Sequence, residues 1–243
     1  MGNKVNGIYY ELYENDSSKR NLVFIHGSGC NHEFLYPLAK ELKEFNCYLI
    51  DLPGHGESDK QKCDSVDDYI HGVSKFVKQL ENVTIIGHSL GGAVCLGVAA
   101  RRIRSVKKAV ILNSGAKFDH VDKNFKNKVL RNKVDRFYLL KSCGSFFCPS
   151  MYKLFTKLES DKTLINDLKI CGNIDLLNKL RKVKIPTLII TGKNEILTSV
   201  DYSEKIHELI KDSELVVVPR TRHMLPIAKR KYVGDLIRTF VRK

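Results

Sequence analysis

The sequence predicts an α/β fold, a mainly parallel sheet with helices on both faces. Three observations predict it. Short apolar, β-branched runs recur at residues 22–25, 83–86, 109–112, 187–191 and 215–218; several of them end at glycine-bearing turns; and segments of helical period separate them. With 243 residues and 43% hydrophobic content the chain can bury one sizeable core, so we expect one domain carrying one insertion.

Taken in order, residues 7–14 read as a strand with alternating aromatics, closed by the polar turn 15–20. Residues 22–25 form a compact buried strand that runs into His26-Gly27-Ser28-Gly29. A strand delivering its chain into a glycine-rich loop can aim a backbone N–H at a reacting carbonyl oxygen. Residues 33–44 read as a helix with Phe34, Leu38 and Leu42 on one face. The strand at 47–50 ends in Asp51-Leu52-Pro53-Gly54-His55-Gly56-Glu57-Ser58, and a helix over 65–80 follows with Ser65 as its N-cap.

Residues 83–100 organise the rest. They read as strand, sharp turn and helix, with Gly87-His88-Ser89-Leu90-Gly91 at the turn. A serine on so tight a junction takes a strained backbone, and its neighbours two residues away on either side must be very small. The same turn sets the Ser89 hydroxyl at a helix N-terminus, where free N–H groups and the dipole favour developing negative charge. That geometry suits a nucleophile.

A further central strand at 109–112 ends at Asn113-Ser114-Gly115, and the alternation then breaks. Residues 116–181 are helical, charged and interrupted by Gly144, Pro149 and Gly172, with no convincing strand. The sheet resumes at Ile185-Pro186-Thr187-Leu188-Ile189-Ile190-Thr191-Gly192, with Glu195 three residues beyond the glycine. Asp201 and Asp212 read as residues of the next helix. The last strand, 215–218, leads to His223, which alone of eight histidines follows it, and then to a helix reaching Phe240.

On these motifs the chain resembles the α/β-hydrolase superfamily. Gly-x-Ser-x-Gly is the pattern of its nucleophile elbow, and residues 51–58 resemble a loop frequent among its members. The resemblance spans nearly the whole chain. It implies an α/β-hydrolase core at 1–115 and 182–243 and a helical cap, or lid, at 116–181. Candidates for the cap's inner face are Phe137, Tyr138, Leu139, Leu140, Phe146, Phe147 and Phe155. It implies Ser89 as nucleophile, His223 as base and Glu195 as the acid of the triad, where the family more often has Asp; Asp119 is held in reserve for that role. It implies an oxyanion hole from the Ser28 and Leu90 backbone N–H groups. His26, Asp51 and His55 are expected to be structural.

The activity implied is carboxylic ester hydrolysis of esterase or lipase-like type through an acyl-enzyme, with no metal or organic cofactor required. The fold also hosts thioester hydrolysis, carbon–carbon bond cleavage and lyase chemistry, and a pocket that binds a small ligand without turnover is the alternative of another class. Lys and Arg number 41 against 27 Asp and Glu, a net charge of +14, and residues 117–181 carry fourteen basic and seven acidic side chains. A basic cap suits an acyl group borne on an anionic carrier such as acyl carrier protein or coenzyme A. No nucleic-acid motif accompanies the charge. Seven cysteines without a CxxC pair argue against a disulfide framework or a zinc site. With no signal core and no run of about 20 apolar residues, a cytoplasmic protein without a membrane span is expected.

Overall fold

The computed structural model describes residues 3–119, 121–144 and 159–243. Among these residues, eight strands form one sheet: β1 (Asn3–Val5), β2 (Ile8–Tyr13), β3 (Asn21–Ile25), β4 (Asn46–Ile50), β5 (Val83–His88), β6 (Val106–Leu112), β7 (Thr187–Gly192) and β8 (Ser213–Val218). Their order is β1-β2-β4-β3-β5-β6-β7-β8. The β1–β2 and β2–β4 pairs are antiparallel and the other five are parallel. The long helices are α1 (Val66–Val77), α2 (Leu90–Ala100), α3 (Lys123–Leu130), α4 (Arg136–Cys143), α5 (Asp161–Gly172), α6 (Val200–Leu209) and α7 (Arg230–Arg242).

The apolar runs become central strands because both faces of this sheet are covered. Alternate residues serve opposite cores. Val23, Ile25, Ile85 and Ile111 join a cluster with α1, α2 and α6, whereas Leu22, Phe24, Ile86 and Leu112 join one with Leu38, Leu42 and α7. Helices on both faces follow from that alternation, as the sequence predicts. At α1, Asp68 Oδ2 accepts the Ser65 N–H at 2.9 Å, so the expected N-cap is reinforced by a capping box.

Two expectations are corrected, and one element goes beyond them. The helix at 33–44 is broken into a 3-10 turn (His32–Leu35), one α-turn (Tyr36–Ala39) and a second 3-10 turn (Lys40–Leu42), because Pro37 cannot donate into a continuing helix. Phe34, Leu38 and Leu42 are buried all the same. Asp212 lies beyond α6, where its carbonyl accepts the Thr187 N–H at 3.0 Å. The three-residue edge strand β1 carries too few residues for a period-2 signal and was not expected.

Between β6 and β7 the chain leaves the sheet for α3, α4, α5 and a one-turn helix at Leu177–Leu180. The α5 helix is tied to the core at several points, among them Asn166 Nδ2 to the Cys63 carbonyl (2.9 Å) and Asp167 to three separate core segments. Among the described residues no helix is long and apolar enough to cross a membrane.

Candidate active site

Ser89 stands between β5 and α2 with φ 54° and ψ −121°, a strained conformation for a residue with a Cβ. The glycine spacing is explained by contact: a Cβ on Gly91 would lie 2.2 Å from the Ile25 carbonyl oxygen, and one on Gly87 would lie 2.1 Å from the Gly91 carbonyl oxygen. The turn is braced on its far side, where the Ser114 hydroxyl donates to the Ser89 carbonyl (2.6 Å). Leu90 begins α2, so its N–H is one of the first-turn groups without a partner four residues back.

Glu195 and His223 meet. Glu195 Oε2 lies 2.7 Å from His223 Nδ1, and Oε1 accepts the Ile196 and Leu197 N–H groups, each at 2.8 Å. Both side chains are buried. Burial raises the affinity of the Glu195 carboxyl for a proton, but the charge and hydrogen bond of His223 and the loop amides outweigh it and hold the group below its ordinary range. Asp119, the reserve, is exposed, with Oδ2 3.8 Å from Lys117 Nζ.

The loop after β3 lies against the elbow: a Cβ on Gly27 would be 3.2 Å from Ser89 Cβ. His26 braces it from a buried position, accepting the Leu52 N–H at Nε2 (3.0 Å) and donating from Nδ1 to the Gly27 carbonyl (2.9 Å). Burial, followed by the nearby His55, lowers its pKa to about 4, consistent with the neutral tautomer those bonds require. Asp51 accepts the N–H groups of His32 (2.6 Å) and Glu57 (2.8 Å) and so shapes its own loop.

Ser28, Ser89, Leu197 and His223 line a cavity of about 360 Å³, within the usual range for small-ligand pockets. Its remaining wall is mostly apolar, with Phe34 and Met224 from the core and Phe118, Phe125, Val129, Leu139, Leu164 and Leu168 from the 116–181 segment. Of the inner-face candidates, Leu139 lines the cavity. Tyr138 stacks on Phe125 at 4.8 Å, and Phe137 is turned out with 69% of its surface exposed. Phe146, Phe147 and Phe155 lie outside the described residues. Among the described residues no group of three or more His, Cys, Asp or Glu is placed to hold a metal ion.

A model of the alpha/beta hydrolase family matches residues 22–233. The chain belongs to that family. The coarse consequence is hydrolase activity. Proline iminopeptidase from Saccharolobus solfataricus is 28% identical over 96% of this chain and 88% of that protein. Pimeloyl-[acyl-carrier protein] methyl ester esterase from Shewanella woodyi is 30% identical over 72% of this chain and 75% of that protein. Among solved structures, a lipase-esterase related protein from Clostridium acetobutylicum superposes with a TM-score of 0.93 at 40% identity, covering 96% of this chain and 99% of that one.

Two residues important to this geometry were missed in the sequence. Asn113, at φ 41° on the end of β6, donates from Nδ2 to the carbonyls of Arg222 (2.8 Å) and His223 (2.9 Å) and accepts the Gly192 N–H at Oδ1 (2.8 Å), so it ties the loops of His223 and Glu195 together. An asparagine closing a buried strand was the available signal. Asp167 is wholly buried within a basic, surface-like segment, and its sequence context gave no signal.

Proposed function

We propose that the protein is a serine carboxylic ester hydrolase acting on small acyl esters. The observation that carries this reading is the buried Glu195–His223 contact of 2.7 Å at the wall of the cavity that Ser89 also lines. Glu195 fixes the imidazole with Nδ1 protonated, leaving Nε2 to accept the Ser89 proton as Oγ attacks the acyl carbon. The Ser28 and Leu90 N–H groups receive the oxyanion. Collapse breaks the ester bond, and His223 returns the proton to the departing alkoxide. Water, deprotonated by the same nitrogen, then attacks the acyl-enzyme and releases the acid and free Ser89. The 116–181 segment serves as a cap, and its apolar side chains hold the acyl group away from water.

The test is labelling of wild type and Ser89→Ala with a fluorophosphonate, alongside hydrolysis of p-nitrophenyl esters of increasing chain length. Ser89-dependent labelling with turnover is expected. Turnover that survives in Ser89→Ala overturns the reading.

A second reading concerns what bears the acyl group. The excess of basic side chains in 117–181, fourteen against seven, and the likeness to pimeloyl-[acyl-carrier protein] methyl ester esterase favour an ester on an anionic carrier. Turnover of such an ester is expected to fall between low and moderate salt while that of a neutral p-nitrophenyl ester does not.

A further inference from the structure

The one wholly buried carboxylate that 116–181 contributes among the described residues is directed at the loop carrying Ser28. Asp167 Oδ2 accepts the Gly29 N–H at 2.7 Å and faces His55 Nε2 at 2.9 Å, while Oδ1 accepts the Tyr69 hydroxyl at 2.6 Å. His55 Nδ1 lies 3.1 Å from the Pro53 carbonyl, so a ring protonated at both nitrogens would serve both acceptors. The groups around it are the rings of His26 (5.1 Å) and Tyr69 (5.8 Å) and the more distant Glu159 carboxylate.

What Asp167 holds is a turn. The Cys30 N–H donates to the Gly27 carbonyl at 3.2 Å, closing a four-residue turn with Ser28 and Gly29 in its centre and Gly29 at φ +63°, the sign a type II turn requires in that place. The acceptor on the Gly29 N–H pins the central Ser28–Gly29 peptide and with it the place of Ser28, whose own N–H belongs to the adjoining Gly27–Ser28 peptide. Nothing in the core loops supplies that acceptor. It comes from α5, as does the contact that fills the space beside the turn, since a Cβ on Gly29 would lie 2.9 Å from Leu164 Cβ. The Glu159 N–H closes the other side by donating to the Gly29 carbonyl at 2.8 Å.

We propose that Asp167 is a positioning residue for the oxyanion loop, so that the Ser28 N–H is correctly aimed only when α5 is seated against the core. This rests on the ester-hydrolase reading. Asp167 touches no substrate; it acts through the Ser28–Gly29 peptide. Because an oxyanion exists in the transition state and not in the bound ester, losing this alignment lowers kcat and leaves KM in place.

The experiment measures hydrolysis of p-nitrophenyl butyrate, inhibition by an alkyl boronic acid, whose tetrahedral adduct needs the oxyanion hole, and inhibition by a primary alkanol, which needs the apolar cavity alone. For Asp167→Ala we expect kcat down by about 100-fold, KM changed less than about threefold, the boronic-acid Ki raised in step with the loss, and the alkanol Ki unchanged. Asp167→Asn is the conservative rescue. Its amide oxygen can take the place of Oδ2 with its NH2 toward the Tyr69 oxygen, and it is expected to recover kcat to within about tenfold of wild type. Should Asp167→Ala lack a cooperative thermal transition, Asp167→Leu combined with His55→Leu removes the acceptor without leaving a buried charge unpaired, and carries the same expectation. A kcat within threefold of wild type in the folded variant, or a loss confined to KM and the alkanol Ki, overturns the proposal. Wild-type turnover independent of Ser89 would instead fail the hydrolase reading beneath it.

Discussion

Glu195 Oε2 meets His223 Nδ1 at 2.7 Å while its other oxygen is taken by the Ile196 and Leu197 amides. Those two amides fix the carboxylate from behind, so the extra methylene of Glu over Asp is absorbed by the loop and the carboxylate still reaches the ring. Replacing Glu195 with Gln keeps the shape but offers an NH2 where the imidazole N–H needs an acceptor. Glu195→Gln is expected to lower kcat by about 10³- to 10⁴-fold, and Asp119→Asn to leave it within about twofold, measured on p-nitrophenyl butyrate. The opposite pattern would move the acid to Asp119.

The same carboxylate makes a pH prediction. Its pKa is depressed in the folded protein, so it contributes stability that is present above its unfolded value and lost as pH falls through the folded one. The stability difference between wild type and Glu195→Gln, from urea unfolding, is expected to shrink steadily as pH falls below the ordinary carboxylate range. A difference constant across that range would contradict it.

At the elbow, Gly91→Ala would put a Cβ 2.2 Å from the Ile25 carbonyl oxygen, a backbone atom that cannot swing aside. A destabilisation of about 1–3 kcal/mol or more is expected, read as a lowered urea midpoint. Gly172→Ala, which meets nothing within 4 Å on the surface of α5, is the matched control and should not destabilise.

The elbow and the central strands were legible because each depends on short-range chemistry, β-branched runs and glycines two residues from a serine, whereas Glu195 and His223 were singled out by resemblance to the family, and the structure brings the two side chains into contact. Pro37 shows the limit within one segment, since an apolar stripe of helical period still buries Phe34 and Leu42 when the backbone between them is broken. Asp167 shows the limit across segments. Its partners Gly29, Tyr69 and His55 lie 138, 98 and 112 residues away in the chain, and no local pattern encodes that meeting.

Asn113 joins three carbonyl and amide partners in the loops of His223 and Glu195. Asn113→Ala leaves the Gly192 N–H and the Arg222 carbonyl without it in a buried site, while the His223 carbonyl keeps His88 Nε2 at 2.8 Å. Each such orphan costs about 1–3 kcal/mol. A lower urea midpoint is expected together with a fall in kcat, as the His223 loop loses one of the two groups that hold its carbonyl. Loss of stability with kcat intact would show that Asn113 supports the fold without aligning His223.

The buried His55–Asp167 pair makes the last prediction, in the opposite direction to Glu195. Burial disfavours the His55 charge, but the hydrogen bond and charge of Asp167 outweigh it, and the Pro53 carbonyl adds to the effect, so the folded pKa is raised above its ordinary value. A raised histidine contributes stability that is fully present below the unfolded pKa, about 6.5, and lost as pH rises through the folded one. His55→Gln keeps a neutral donor toward Asp167 but removes the titrating charge. The wild-type advantage over His55→Gln in urea unfolding is therefore expected to be largest at mildly acidic pH and to diminish toward alkaline pH. An advantage that grows with pH would mean that His55 is neutral in the folded protein, and that one of its two ring nitrogens faces an acceptor without a proton to share.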